Sequence, residues 1–308
     1  MPAAAGRAAM PDWLDRGVLI YGPRKAGTTL FQNLLDGGEE ALVYPAELKI
    51  KRIVRQGHGA PSAETYYAAS RISEVTSPHF SLDHYRALWE RERTDGTTRD
   101  VGDLIRFDAW AVFSSLTRAG REPRMWCAKE VGGDTGRIVG LWRQCFPQGR
   151  VLLIVRDPMM IARAILNDRR RKGRRPAWPE IVSEVLDAAR VVAAEAQMLG
   201  DPDVLMVAYE DLVADTAVVM ARVAAFLGVN PAPVLSRPTL FGEPVVVRTA
   251  SRETTEVFRP AASWREGLSV REQRIVAAAA TACRLLPRYR VDYESLRRRI
   301  AGGRPARP

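Results

Sequence analysis

Strand-like and helix-like patterns alternate along most of this chain, and that alternation leaves few folds open to it. Short apolar runs suited to buried strands occur at residues 17–21, 41–44, 124–128, 150–155 and 203–208. Apolar residues recur with the 3.6-residue period of a helix at 102–118, 135–145, 158–172, 179–199 and 216–227. Strands apolar on both faces, separated by helices, predict a parallel sheet covered by helices on both sides. The expectation is one α/β domain over residues 13–300, with loose termini at 1–12 and 301–308. No linker or internal repeat divides it. The least regular internal segments, 57–78 and 230–263, are where loops would face a substrate.

The first apolar run leads into a glycine turn within GVLIYGPRKAGTTLFQNLL, residues 17–35. Gly22 and Gly27 keep the glycine spacing of the phosphate loop G-x-x-x-x-G-K-[ST], but Thr28 stands where its lysine would be. The lysine present is Lys25, inside the loop, so it would lie alongside the phosphate oxygens instead of reaching a terminal γ group. Strand, turn and helix start follow in order. The backbone N–H groups of Ala26, Gly27, Thr28 and Thr29 would then point outward at a helix N-terminus, where unpaired donors and the helix dipole favour an anion. Taken alone, the stretch also fits a plain glycine turn capped by Thr28.

The composition is that of an ordinary globular protein: 308 residues, 46% hydrophobic and 27% charged. No apolar run is long enough to cross a bilayer and the N-terminal stretch lacks signal-peptide features, so a soluble cytoplasmic protein is expected. Cys127, Cys145 and Cys283 lack C-x-x-C spacing, and His58, His79 and His84 do not form metal-ligand pairs. Neither a disulfide framework nor a metal site is expected. A net charge of +10 implies an anionic partner: a nucleotide, a nucleic acid or a membrane surface. The densest basic run, RRRKGRR at 169–175, reads first as a solvated helix end, then as a lid over an anionic ligand, and last as a nucleic-acid contact. No helix-turn-helix, zinc-finger or aromatic RNA-binding pattern accompanies it.

A second constellation is VLLIVRDPMMIARAILNDRR, residues 151–170. Asp157 and Pro158 suit the cap and first position of a helix. Arg156 would sit at the C-terminal edge of the sheet, where open α/β folds bind ligands and where its fork of donors suits a phosphate or a nearby acid.

With these segments in view, the chain resembles the sulfotransferases that use 3′-phosphoadenosine 5′-phosphosulfate (PAPS). YGPRKAGTT resembles their 5′-phosphosulfate loop and VLLIVRDP their 3′-phosphate segment. VAYEDLVADTAVVMARVAAFLGV, residues 207–229, resembles their Tyr-Glu-Asp-Leu turn and following helix, and FRPAASWREGLS, residues 258–269, their C-terminal cofactor loop. The four stretches stand in the family's order. The resemblance implies a P-loop-like nucleotide-binding fold with PAPS as co-substrate and no metal. It implies cofactor contacts from Arg24, Lys25, Ala26, Gly27, Thr28, Thr29, Arg156, the position of Ala164, Tyr209 and Arg259. Where the family has a 3′-phosphate serine this chain has Ala164, so Arg163, Asn167 or Arg259 would have to supply that contact.

The resemblance also gives Lys25 a use. Sulfuryl transfer leaves negative charge on the oxygen between sulfur and the 5′ phosphate, and a cation inside the loop can meet it. The acceptor must lose a proton as it attacks sulfur. Cytosolic animal members use the histidine of a Lys-Thr-His stretch, where this chain has Lys129, Glu130 and Val131. Heparan N-sulfotransferases and many bacterial members have a glutamate after the second strand, which here corresponds to Glu47. Glu47 is therefore the first candidate for the base and Glu130 the second, with the three histidines behind. Lys129 resembles the lysine that closes over the sulfuryl oxygens. The acceptor implied is a hydroxyl, less readily an amine, of a small molecule, saccharide or lipid, and no specific nucleic acid is implied. The rivals are a small-molecule kinase with a degenerate loop, against which Thr28 and Arg156 count, and a basic nucleic-acid-binding protein.

Overall fold

A computed structural model of the chain describes residues 10–302 apart from 37, 39, 49, 51–61, 71, 76, 96–99, 118–121, 232, 249–252, 255–256 and 258–262. Five parallel strands form the central sheet: β1 (Gly17–Gly22), β2 (Ala41–Glu47), β3 (Met125–Val131), β4 (Arg150–Val155) and β5 (Val204–Ala208). Their order is β2-β3-β1-β4-β5. Each expected strand is present, and β2 runs further than its apolar residues suggested, ending on Glu47.

β1 lies in the middle and all of its residues are buried, since it has a strand on each side and helices on each face. The chain leaves β1 with β3 on one flank and β4 on the other. This is the point where the strand order changes direction, and a crevice for ligands opens there beyond the C-terminal ends of the strands.

The helices are α1 (Thr28–Leu35), α2 (Ala63–Ala69), α3 (Leu82–Asp95), α4 (Val101–Ser114), α5 (Thr135–Cys145), α6 (Pro158–Arg171), α7 (Trp178–Ala196), α8 (Tyr209–Ala214), α9 (Thr216–Leu227), α10 (Val270–Leu285) and α11 (Tyr293–Gly302). Side-chain caps fix several starts. Asp100 accepts from the N–H of Asp103 at 2.8 Å, Asp134 from Arg137 at 3.1 Å and Asp157 from Met159 at 2.7 Å. Each such cap contributes about 1 kcal/mol.

Alternation along a strand decides which helices each side chain meets. In the β1–β3 register Ile20 lies beside Lys129 and Tyr21 beside Glu130. The Lys129 ammonium reaches Thr29 of α1, so its face of the sheet is the one α1 covers. Tyr21 and Glu130 turn to the other face. There the Tyr21 hydroxyl donates to the Gly132 carbonyl at 3.0 Å, and burial, reinforced by the nearby carboxyls of Glu195 (α7) and Glu130, pushes its pKa up.

Asp108 of α4 fastens the β2 side of the molecule. Its fully buried carboxylate accepts from Tyr44 of β2 at 2.6 Å, Tyr66 of α2 at 3.1 Å, Tyr85 of α3 at 2.5 Å and the Trp89 indole N–H at 3.2 Å. Burial raises the Asp108 pKa and these donors oppose the shift. Removing the carboxylate would strand four buried donors, each costing roughly 1–3 kcal/mol. A smaller apolar cluster that includes Leu166, Ile181, Val185 and Val276 props α6 against α7 and α10. Among the described residues no helix is long and apolar enough to cross a membrane.

Candidate active site

The loop between β1 and α1 is shaped by two close approaches. Gly22 passes so near β4 that a Cβ on it would lie 2.5 Å from the Ile154 carbonyl oxygen. Gly27, with φ 102, forms the N-cap of α1 in left-handed backbone, and no side chain caps the helix. Its Cβ position lies 2.4 Å from the ring of Tyr209, which fills that space. The first N–H groups of an α-helix have no acceptor within the helix, so this uncapped turn offers donors and a positive dipole end to an anion. Thr28 is buried under it, and Thr29 stands exposed at its rim.

The ends of β4 and β5 hold the loop from outside. Arg156, just past β4, is 6% exposed and donates from Nη1 to the Lys25 carbonyl at 2.8 Å. Its guanidinium lies 4.2 Å from the centroid of the Tyr209 ring, which in turn backs Gly27. The buried Arg156 Nε has no hydrogen-bond partner among the described residues. Arg156 is thus bound into the loop structure. Lys25 itself has φ 63, an uncommon value for a residue with a side chain. The Arg156 bond to its carbonyl holds that conformation.

Lys129, Thr29 and Glu47 are brought together. Lys129 donates from Nζ to Thr29 Oγ1 at 2.9 Å, and it stands opposite Glu47 in the β2–β3 register, just beyond an irregularity in that pairing. The N–H of Leu48 continues the pairing to the Lys129 carbonyl at 3.1 Å. Glu130 is not part of this group. It is fully buried, and its carboxylate accepts from the N–H of Val131 at 3.1 Å on the opposite face of β3. His79 lies 3.2 Å from Glu243, while His58 falls outside the described residues.

The 3′ side of the expected site lies on α6. Ala164 is half-buried there, one helical turn before Asp168 on the same stripe. Of the residues expected to replace its missing hydroxyl, Arg163 donates from Nε to the Glu266 carbonyl at 2.8 Å, and burial lowers its pKa against the pull of Glu266. Asn167 accepts from Arg170 at 3.1 Å. Arg259 falls outside the described residues.

Sequence reasoning missed the carboxylates that meet the loop's two cations. The Lys25 ammonium lies 3.3 Å from Asp168 Oδ1, and Arg24 lies 3.8 Å from Glu184 of α7. Asp168 also receives Arg171 at 2.7 Å and Lys172 at 2.9 Å. Desolvation would raise its pKa, but the hydrogen bond from Lys172 with the charge and hydrogen bond of Lys25 and that of Arg171 hold it down to about 2. Arg169 pairs with Glu180 and Glu184, and Arg170 with Glu272. Arg169, Arg170, Arg171 and Lys172 of the basic run thus each meet a carboxylate, while Arg174 and Arg175 are exposed.

The family model described as "Sulfotransferase family" matches residues 17–233, which include the loop, β2, β3, β4, α6 and the β5–α9 segment. No curated protein matches the chain. Among solved structures, the sulfotransferase domain of the Synechococcus PCC 7002 olefin synthase superposes with a TM-score of 0.53 at 18% identity, covering 89% of this chain and 98% of that one. The sulfotransferase domain of the curacin biosynthetic pathway gives 0.50 at 15% identity, covering 86% and 98%. At these identities the structures speak for the fold alone. With residues 17–233 of the 308 matched by that model, this protein belongs to the sulfotransferase family.

Proposed function

We propose that the chain transfers a sulfuryl group from PAPS to a hydroxyl, less readily an amine, of a small-molecule, saccharide or lipid acceptor. The observation that carries this reading is the grouping of Lys129, Thr29 and Glu47 at the sheet edge beside an uncapped helix N-terminus. A cation, a hydroxyl, a carboxylate and free N–H donors in one place are what sulfuryl transfer needs: charge stabilisation, orientation and a proton acceptor.

When bound, the cofactor supplies the sulfuryl group and a phosphate leaving group. The N–H groups from Ala26 to Thr29 receive the 5′ phosphate, and Lys129 with Thr29 orients the sulfuryl oxygens. Glu47 takes the proton of the acceptor as its oxygen bonds to sulfur. The bond from sulfur to the bridging oxygen breaks, its electron pair stays on the phosphate, and Lys25 meets that charge. These residues supply the positive charge that a kinase draws from magnesium, so the reaction proceeds without metal. Burial of Glu130 on the other face favours Glu47 as the base. Tyr209 and Arg156 serve the nucleotide side, where Arg156 holds the loop through the Lys25 carbonyl.

The test is a thermal-shift panel in EDTA-containing buffer with adenosine 3′,5′-bisphosphate or AMP, and with ATP in a parallel magnesium buffer. A ligand that binds only the folded state stabilises it by about 2.7 kcal/mol at a hundred times its Kd. Preferential stabilisation by the bisphosphate is expected. Preferential stabilisation by ATP with magnesium would return the kinase reading to first place.

A further inference from the structure

We infer that Asp168 is a counter-ligand for the loop lysine: it holds the Lys25 ammonium in the nucleotide-free protein and must yield it when a phosphate occupies the loop. This rests on the reading of Lys25 as the cation that meets the cofactor's 5′ phosphate.

The geometry separates the two ends of Lys25. Its backbone is fixed at the loop by the Arg156 bond to its carbonyl, while its ammonium is engaged by α6, 3.3 Å from Asp168 Oδ1. The lysine side chain is 39% exposed and Asp168 only 9%, so the carboxylate is the stationary partner and the lysine the movable one. Asp168 is also equipped to lose it. Arg171 shares the same oxygen at 2.7 Å and Lys172 takes the other at 2.9 Å, so the carboxylate stays ionised and neutralised when Lys25 leaves. A buried carboxylate left with no cation would be costly, and two replacements from the same helix end remove that obstacle.

Arg24 repeats the arrangement. It lies 3.8 Å from Glu184, and Glu184 keeps Arg169 as a second partner. Both cations of the phosphate loop are therefore held by acids of the α6–α7 pair, and each acid has its own cation from the basic run. That run, which phosphate binding does not use directly, lets the loop cations be handed over. Asp168 lies on the same stripe as Ala164, so on this side of the site a carboxylate stands one turn from the position where the family's serine hydroxyl is missing.

Because Asp168 and the phosphate compete for one ammonium, removing the carboxylate must strengthen nucleotide binding, and the gain must depend on Lys25. The experiment is calorimetric titration of adenosine 3′,5′-bisphosphate into wild type, Asp168→Asn, Asp168→Glu, Lys25→Ala and the Asp168→Asn/Lys25→Ala double variant, with folding checked by circular dichroism. Asp168→Asn is expected to bind about two- to fivefold tighter than wild type, the scale of a partly exposed ion pair that no longer has to break. Asp168→Glu keeps the charge and stays near wild type. In the Lys25→Ala background the Asp168→Asn change has little effect. If wild type binds and Asp168→Asn binds equally or more weakly, the counter-ligand role is overturned while the cofactor reading stands. An equal gain in the Lys25→Ala background also overturns it, showing general repulsion of the anion. A wild type that does not bind the bisphosphate overturns the cofactor reading and this inference with it. Should Asp168→Asn not fold, Asp168→Ser carries the same test.

Discussion

Replacing Gly27 by alanine tests whether the loop, Tyr209 and Arg156 act as one unit. At φ 102 the new side chain would stand in left-handed backbone, which costs an L-residue about 1–2 kcal/mol. Its Cβ would lie 2.4 Å from Tyr209 Cδ2 and 2.6 Å from Cε2, whereas non-bonded carbons settle at about 3.5–4.0 Å. The ring would have to retreat by about 1 Å. It is 8% exposed and carries the Arg156 guanidinium 4.2 Å from its centroid, so a shift of the ring disturbs Arg156 and its bond to the Lys25 carbonyl. Overpacking of this kind costs about 1–3 kcal/mol, and the two effects together about 2–5 kcal/mol. Denaturant unfolding would show the loss as a lower midpoint, and titration with adenosine 3′,5′-bisphosphate would show weaker binding because Arg156 has moved. Tyr209→Ala in the Gly27→Ala background removes the collision and leaves the backbone strain, so the double variant should lose about 1–3 kcal/mol less than the sum of the singles. Gly27→Ala within about 0.5 kcal/mol of wild type, or a strictly additive double variant, would refute the coupling.

Lys25→Ala is expected to keep the fold by circular dichroism and to lose sulfuryl transfer by about a hundredfold or more in a radiolabelled-sulfate assay; a loss of only a few-fold would remove Lys25 from the leaving-group role. Glu47→Gln keeps the shape and removes the proton acceptor, so kcat should fall by roughly 10² with bisphosphate affinity preserved. A near-normal kcat would exclude Glu47 as the base. Glu195 is fully buried with no hydrogen-bond partner for either oxygen among the described residues, and burial raises its pKa well above the usual carboxylate range. The folded protein then keeps a proton that the unfolded chain releases above about pH 4.3, so this residue makes stability fall as pH rises from there. Glu195→Gln has no such step; its melting temperature should gain on wild type from pH 5 to pH 8, and parallel curves would disprove the reasoning.

The sheet was legible because its strands are apolar on both faces, as β1 and β4 show most plainly. The helices with a strong apolar stripe were legible too. Those that escaped notice carry weaker patterns. α3 reads LDHYRALWERERTD, and its charges hide the narrow inward stripe of Tyr85, Leu88, Trp89 and Glu92. α2 is a short helix inside a segment expected to be irregular. α10 and α11 are rich in arginine and alanine and follow the last recognised motif. The strand β2 looked short because Pro45 and Glu47 interrupt its apolar run, although the ladder with β3 continues to Glu47.

The site divides along a physical line between backbone and charge. Loop geometry is encoded locally: two glycines, a strand before and a helix after are enough to place the N–H donors. The relation of Lys129 to Glu130 was also within reach, since consecutive strand residues face opposite ways and only one of them can share a face with α1. That period alone sets Glu130 on the face away from Lys129 and α1. The partners of Lys25 and Arg24 could not be read in the same way, because an ion pair between the loop and α6 or α7 depends on how helices cross over the sheet edge. What the sequence does contain is the spacing from Ala164 to Asp168, a lost hydroxyl and a carboxylate on one helical stripe, followed at once by cations able to neutralise that carboxylate. An acid beside a phosphate site would ordinarily oppose anion binding. It is tolerable here because Arg171 and Lys172 cancel its charge, and the same cancellation frees Lys25 to move.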